Sequence, residues 1–233
     1  MRNGFLQVLI AAWFAVGAGQ ASADIVFEQV PNQRGGFISD TDALYFGQEH
    51  YWERMADDFQ LGDAAQLTSV VFWGFFYDSY YAPGNESIQL RFLGARKSDE
   101  LPDENAVLYS ETFQNPSRQT TGEIVLAGPG PPEYKYTIDL AAPFSVSANT
   151  KYWLEVVQLG DPESDFAWES ARLFSPGQRV AFNNQLQPNW AYSNGSNLAF
   201  QLVIPEPNGI GIIAFSLLFH RRRGRHGARA RSG

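Results

Sequence analysis

Short segments of alternating apolar and polar residues constrain the fold of this chain most strongly. In residues 87–94, Ile88, Leu90 and Phe92 fall on one side of an extended backbone. A period of two is the period of a β-strand with one buried face. Three more segments place their apolar side chains in the same way: Tyr134, Tyr136, Ile138 and Leu140; Tyr152, Leu154 and Val156; Leu198, Phe200, Leu202 and Ile204.

Turn-forming residues separate these segments, as in "YYAPGNES", "AGPGPPE" and "SNGSN". About ten short strands at this spacing predict an all-β sandwich or barrel. Residues 31–50 and 94–104 form long connections. Such connections are more typical of crossovers between two sheets than of a simple up-and-down barrel. We therefore predict one domain over residues 24–204, an all-β, jelly-roll-like β-sandwich.

The first 23 residues have the composition of a secretory signal peptide. Arg2 is their only charged residue, an apolar stretch follows, and Ala21-Ser22-Ala23 forms a small-residue cleavage site. An N-terminal membrane anchor or a buried helix is the alternative, although Gln7 interrupts the apolar run. We predict cleavage after Ala23 and export through the Sec machinery.

Charge is distributed unevenly along the chain. Residues 24–207 hold ten Lys and Arg against all 25 Asp and Glu, a formal charge of −15. A body this acidic repels phosphate backbones, so we expect no nucleic-acid partner. The chain has no cysteine, which excludes disulfides, a lipoprotein anchor and every Cys-based zinc site.

The C-terminal segment, residues 205–233, departs from the body in composition. Pro205, Glu206 and Pro207 precede an apolar run at 209–219, and Arg221, Arg222 and Arg223 follow it. As a helix this run would span about 17 Å, whereas a hydrocarbon core is about 30 Å thick. Basic residues hold the adjoining end of such a segment in the cytoplasm. A last strand followed by a disordered basic tail is the alternative.

The order of this tripeptide, apolar run and terminal arginine cluster resembles the PEP-CTERM sorting signal of exported bacterial proteins. The resemblance implies recognition by an exosortase, a transient stop in the inner membrane, and final placement at the cell surface or outside the cell. The body is also similar to a β-sandwich module common in these proteins, through Asp57-Asp58-Phe59 and Tyr152-Trp153-Leu154. That module implies no particular activity.

Residues for catalysis are scarce in the body. His50 is its only histidine and no G-x-S-x-G motif is present, so a serine-hydrolase triad has few candidates. Glu155, beside Trp153 on a predicted strand, could act as a glycosidase carboxylate or could be an outward, solvated glutamate. We favour the solvated glutamate and predict a non-enzymatic protein without catalytic residues.

Two acidic loops contain oxygen ligands of the kind that calcium prefers. They are "SDTD" at residues 39–42 and "DPESD" at 161–165. Solvated turns have the same composition, and neither loop has EF-hand spacing. We predict that the body folds without a metal or another cofactor.

The stretch "FWGFFYDSYY" at residues 72–81 holds seven aromatic residues in ten positions. In a strand Trp73, Phe75 and Tyr77 share one face and could form an exposed platform for sugar rings. The alternative is that this face is covered. The sequence thus predicts an exported cell-surface or matrix protein. A carbohydrate-binding module acting on exopolysaccharide is the alternative, and a secreted glycan hydrolase is a third reading.

Overall fold

The computed structural model describes residues 23–45, 48–77, 83–126, 130–160, 164–172, 179–193 and 196–205. Within these ranges the backbone forms fourteen β-strands and no helix. The strands are β1 (Asp24–Gln29), β2 (Pro31–Ile38), β3 (Asp40–Tyr45), β4 (Gln48–Gln60), β5 (Ala65–Phe76), β6 (Ser87–Ala95), β7 (Pro102–Gln114), β8 (Arg118–Ile124), β9 (Pro132–Val146), β10 (Lys151–Gln158), β11 (Phe166–Ala171), β12 (Val180–Asn184), β13 (Ala191–Tyr192) and β14 (Phe200–Ile204).

The strands form two seven-stranded sheets, which we call sheet A and sheet B. In sheet A, β5 pairs with β9 along one edge and with β14 and then β11 along the other. The first strand pairs antiparallel with the last, with Gln29 opposite Phe200. The pairing of β11 with β2 completes this sheet on one side and that of β9 with β8 on the other.

Sheet B is built around β4 and β10, which pair directly along Met55–Gln60. Its remaining strands are β12 and β13 on one side, β6 and β7 on the other, and β3 beside the first part of β4. The chain passes between the sheets repeatedly, for example from β4 to β5 and from β9 to β10. These crossings confirm the predicted all-β sandwich.

The main core lies between the sheets, where the inward faces of their strands meet. It contains the apolar faces that the alternation predicts on β6, β9, β10 and β14, with Ile204 partly buried at its margin. Aromatic rings pack in this core, among them Phe92 stacked on Phe144 at 4.3 Å and Phe72 stacked on Tyr136 at 4.6 Å. The described residues of this core all belong to one compact unit, residues 23–206.

One of the two predicted crossovers is confirmed and the other is wrong. Within residues 31–50 the chain passes from β2 in sheet A to β3 in sheet B. This segment crosses as paired strands, although "PNQRGGFI" does not alternate, because backbone pairing to β11 satisfies β2. Residues 94–104 form a tight turn between paired neighbours β6 and β7, in which Arg96 N donates to Leu101 O at 2.7 Å. The chain therefore stays within sheet B over residues 94–104.

The predicted signal peptide, residues 1–23, lies outside the described residues except for Ala23. Of the predicted sorting signal only Pro205 is described, while Glu206, Pro207 and Arg221, Arg222 and Arg223 lie outside. In the part of the chain that the structure describes, no helix has the length and hydropathy needed to span a bilayer.

Candidate functional site

The aromatic stretch in β5 does not form the exposed platform. Trp73 and Phe75 are 7% and 0% exposed, and only Tyr77, at 41%, reaches solvent. The ammonium of Lys135 lies 5.3 Å from the centre of the Trp73 ring. Phe75 packs against Val125 and the small side chain of Ala167. The covered-face alternative is therefore correct for these two residues, because neighbouring strands and the segment after β8 lie over them.

Glu155 points outward from sheet B as expected, but it is not solvated. It is 0% exposed and binds Arg54 Nε through Oε1 at 2.5 Å and Arg91 through Oε2. Glu104 binds both arginines at 3.0 and 3.1 Å, and Trp190 donates to Glu104. Burial raises the pKa of Glu155 to about 7 against the opposing effect of Arg54. Glu155 is thus the buried centre of a partly exposed ion-pair network, and its carboxylate is closed to a substrate.

The first acidic loop lies beside Asp165, at the end of the second loop, whose residues 161–163 lie outside the described residues. Asp40 accepts hydrogen bonds from the backbone N–H of Asp42 at 2.9 Å and of Phe166 at 3.3 Å. Burial, with a smaller contribution from nearby Asp165, raises the pKa of Asp40 to about 7. Each carboxylate oxygen of Asp40 thus accepts a hydrogen bond from a backbone N–H. Among the described residues no group of three or more His, Asp or Glu is placed to hold a metal ion.

A pocket of about 920 Å³ opens beside β2, at the edge of sheet A. Pockets that hold small ligands are about 300–1,000 Å³, so this one can hold several sugar units or a ligand of similar size. The side chain of Tyr77 lies at its wall. The other lining residues are mostly polar or lack side chains: Asn32, Gln33, Arg34, Gly35, Gly36, Leu126, Ser170, Ala171, Arg172 and Ser196.

Gln33 connects the lining of this pocket to the protein beneath it. Its backbone N–H donates to Glu169 Oε1 at 2.7 Å and its Nε2 donates to Glu133 Oε2 at 3.1 Å. Its Oε1 accepts from Arg172 Nη2 at 3.3 Å, and its carbonyl accepts from Leu126 N–H at 3.1 Å. These four bonds hold Gln33 at φ 55°, a conformation that glycine adopts more readily.

Glu133 and Glu169 form a carboxyl pair under Gln33. They are 1% and 0% exposed, and both point away from the main core because their neighbours Tyr134 and Trp168 point into it. Burial, followed by the neighbouring Glu133, raises the pKa of Glu169 to about 9. With both groups ionised, Glu169 Oε2 would have no donor. A proton between the two carboxyls supplies that hydrogen bond, as in other close carboxyl pairs.

Gly36 allows β2 to approach β11 at the base of the pocket. A Cβ added there would lie 2.3 Å from the carbonyl oxygen of Trp168. That distance is far inside van der Waals contact, so only glycine fits without movement of the backbone. The backbone of 32–36 is thereby held against the end of β11, which carries Ser170, Ala171 and Arg172 to the same pocket.

Sequence reasoning found one residue of this pocket, Tyr77, and missed the rest. Residues 32–36 do not alternate and resembled a connection. The sequence did contain one signal for a binding site, which is the scarcity of basic residues in the body. Arg34 and Arg172 are two of only ten Lys and Arg there. Alternation also gives the outward direction of Glu133 and Glu169, but it cannot show that residues distant in sequence cover them.

These features define an acidic, all-β sandwich with a polar pocket beside an edge strand. The chain belongs to the family described as a domain of unknown function, DUF7901, whose model matches residues 25–217. That match spans all fourteen strands except the first residue of β1, and continues past Pro205-Glu206-Pro207 into the apolar run. No curated protein matches the chain.

Proposed function

We propose that this protein is an exported, non-enzymatic component of the cell surface or extracellular matrix, and that it binds exopolysaccharide in the pocket beside β2. The exposed ring of Tyr77 among polar side chains is the observation that carries the binding proposal. An aromatic ring offers rigid apolar area to the face of a sugar. The amides of Asn32 and Gln33 and the hydroxyls of Ser170 and Ser196 are suited to sugar hydroxyl groups.

The burial of the carboxyls favours binding over hydrolysis. A glycosidase needs two carboxylates that flank the scissile bond. Glu133, Glu155 and Glu169 are each 0–1% exposed, so none offers an oxygen to a sugar ring in solvent. The glycan-hydrolase alternative therefore ranks below glycan binding.

Export and sorting rest on the ends of the chain. The predicted signal peptide directs residues 24–204 across the inner membrane, and Pro205-Glu206-Pro207 directs the chain to an exosortase. Arg221, Arg222 and Arg223 hold the C-terminus on the cytoplasmic side until processing. Outside the cell a domain without disulfides must be stabilised by its core, and the large aromatic core between the sheets meets this requirement.

Binding of residues 24–204 to exopolysaccharide from an exosortase-bearing bacterium tests this function. We expect retardation in gels that contain the polymer, with Tyr77→Ala weakening binding at least tenfold, about 1.4 kcal/mol. Tyr77→Phe should bind well because it keeps the ring. Tyr192→Ala removes a tyrosine from sheet B and should leave binding unchanged.

Each of these variants needs a melting temperature, so that loss of binding is separated from loss of folding. The proposal fails if the wild-type body does not bind exopolysaccharide. It fails equally if folded Tyr77→Ala binds as well as wild type does. Hydrolysis products from wild type that disappear in Glu155→Gln would favour the glycan hydrolase instead.

A further inference from the structure

Two arginines of the pocket have no carboxylate partner among the described residues, whereas five of the ten basic residues of the body are paired with carboxylates. Among the described residues, neither Arg34 nor Arg172 lies within 4 Å of a carboxylate oxygen, although the body is strongly acidic. The basic residues that are paired with carboxylates are Arg54, Arg91, Arg96, Arg118 and Lys151. The pocket therefore brings together two guanidinium groups that no carboxylate of the described residues pairs with.

Neutral groups hold Arg172 in position. Its Nε donates to the carbonyl of Pro31 at 2.9 Å, and its Nη2 donates to Gln33 Oε1 at 3.3 Å. Its backbone N–H donates to Val30 O at 2.8 Å. A guanidinium has five N–H donors, so donors of Arg172 remain for a ligand after these bonds.

Arg34 lies on the exposed side of the same segment. Its backbone N–H donates to Asn32 Oδ1 at 2.7 Å, which fixes the turn that presents the residue. Its side chain lines the pocket. Two guanidinium groups thus approach one pocket from two chain segments that are far apart in sequence.

The carboxyl pair beneath the pocket does not cancel this charge. Arg172 lies near Glu169 and opposes the rise in the pKa of that group. Because burial and Glu133 dominate, Glu169 keeps its proton at neutral pH. The floor of the pocket then carries at most one negative charge from two carboxyls, and Gln33 separates it from the ligand.

We propose that the pocket is specific for acidic sugars, with Arg34 and Arg172 binding the carboxylate of a hexuronate unit. This inference rests on the proposed glycan binding at the same pocket. Guanidinium and carboxylate form paired, charge-assisted hydrogen bonds, while the ring of Tyr77 contacts the sugar and Asn32 binds its hydroxyl groups. The volume of the pocket fits a polyuronate segment, whereas a free carboxylate or phosphate ion would leave most of it unfilled.

Matched polymers test the inference. Polygalacturonate and the same polymer after reduction of its carboxyl groups differ only in charge and in the carboxyl oxygens. By calorimetry, wild-type residues 24–204 should bind polygalacturonate at least tenfold more tightly than the reduced polymer. Arg34→Gln should lose about tenfold for polygalacturonate and almost nothing for the reduced polymer.

Lys97→Gln is the matched control, since it removes one positive charge from an exposed residue of the turn between β6 and β7 in sheet B. It should bind like wild type. Equal binding of both polymers by wild type would overturn acidic-sugar specificity and leave glycan binding intact. If wild type binds neither polymer, both proposals are overturned. If Lys97→Gln and Arg34→Gln weaken binding equally, the effect is one of net charge, and the proposed carboxylate site at Arg34 and Arg172 is overturned.

Discussion

The proton of the buried carboxyl pair gives a prediction about stability and pH. The pKa of Glu169 is raised from 4.5 to about 9 in the folded protein. Between these values the folded state holds a proton that the unfolded state has released, so the free energy of unfolding falls as pH rises. The contribution of Glu169 is fully present below about pH 4.5 and is lost as pH rises towards 9. One proton changes that free energy by about 1.4 kcal/mol per pH unit.

Glu169→Gln removes this titration with little change of shape. The amide oxygen can still accept from Gln33 N–H, and the amide nitrogen can donate to Glu133. From pH 5 to pH 8, wild type should therefore lose about 2–4 kcal/mol more stability than Glu169→Gln does. The buried Asp40 and Glu155 also have raised pKa values, but they titrate in both proteins and cancel in the comparison.

Urea denaturation at pH 5, 6.5 and 8 measures the effect. With a slope of about 2 kcal/mol per molar urea, the gap between the two midpoints should change by about 1–2 M across this range. Glu123→Gln replaces an exposed carboxyl, and its midpoints should run parallel to wild type. Parallel midpoints for Glu169→Gln would refute the shared proton.

Three further outcomes are expected. Arg91→Gln leaves a fully buried carboxylate with one arginine and should lower the free energy of unfolding by about 3 kcal/mol; an unchanged urea midpoint would contradict the network. Gly36→Ala puts a Cβ 2.3 Å from a backbone oxygen and should cost about 1–3 kcal/mol, whereas Gly62→Ala, with nothing within 4 Å, should melt within a few degrees of wild type. Mass spectrometry of the surface protein should find a C-terminus near residues 205–207, and an intact Gly233 would exclude processing by an exosortase.

The inward faces of the strands could be predicted from sequence because they follow a local rule. Leu90 and Phe92 alternate with polar residues, as do Tyr134 and Tyr136, and both pairs lie in the core between the sheets. A period of two reports the direction of a side chain within one strand. It needs no knowledge of what the strand packs against.

The outward faces could not be predicted, because other parts of the chain decide whether they are covered. Trp73 and Glu155 both point outward, and both are buried, one beneath Lys135 and one between two arginines. The pocket depends on equally distant contacts. Gln33 and Glu169 are 136 residues apart in sequence, and Gln33 lies in a strand whose residues do not alternate.

Hydrogen exchange with and without polyuronate tests the pocket most directly, since it locates binding without any substitution. We expect slower exchange of backbone amides in residues 32–36 and 170–172, which line the pocket, and unchanged exchange in the turn that carries Lys97. The account is contradicted if residues 32–36 exchange at saturating polymer as they do in the free protein. This holds whether the polymer protects the turn between β6 and β7 instead or protects no segment at all.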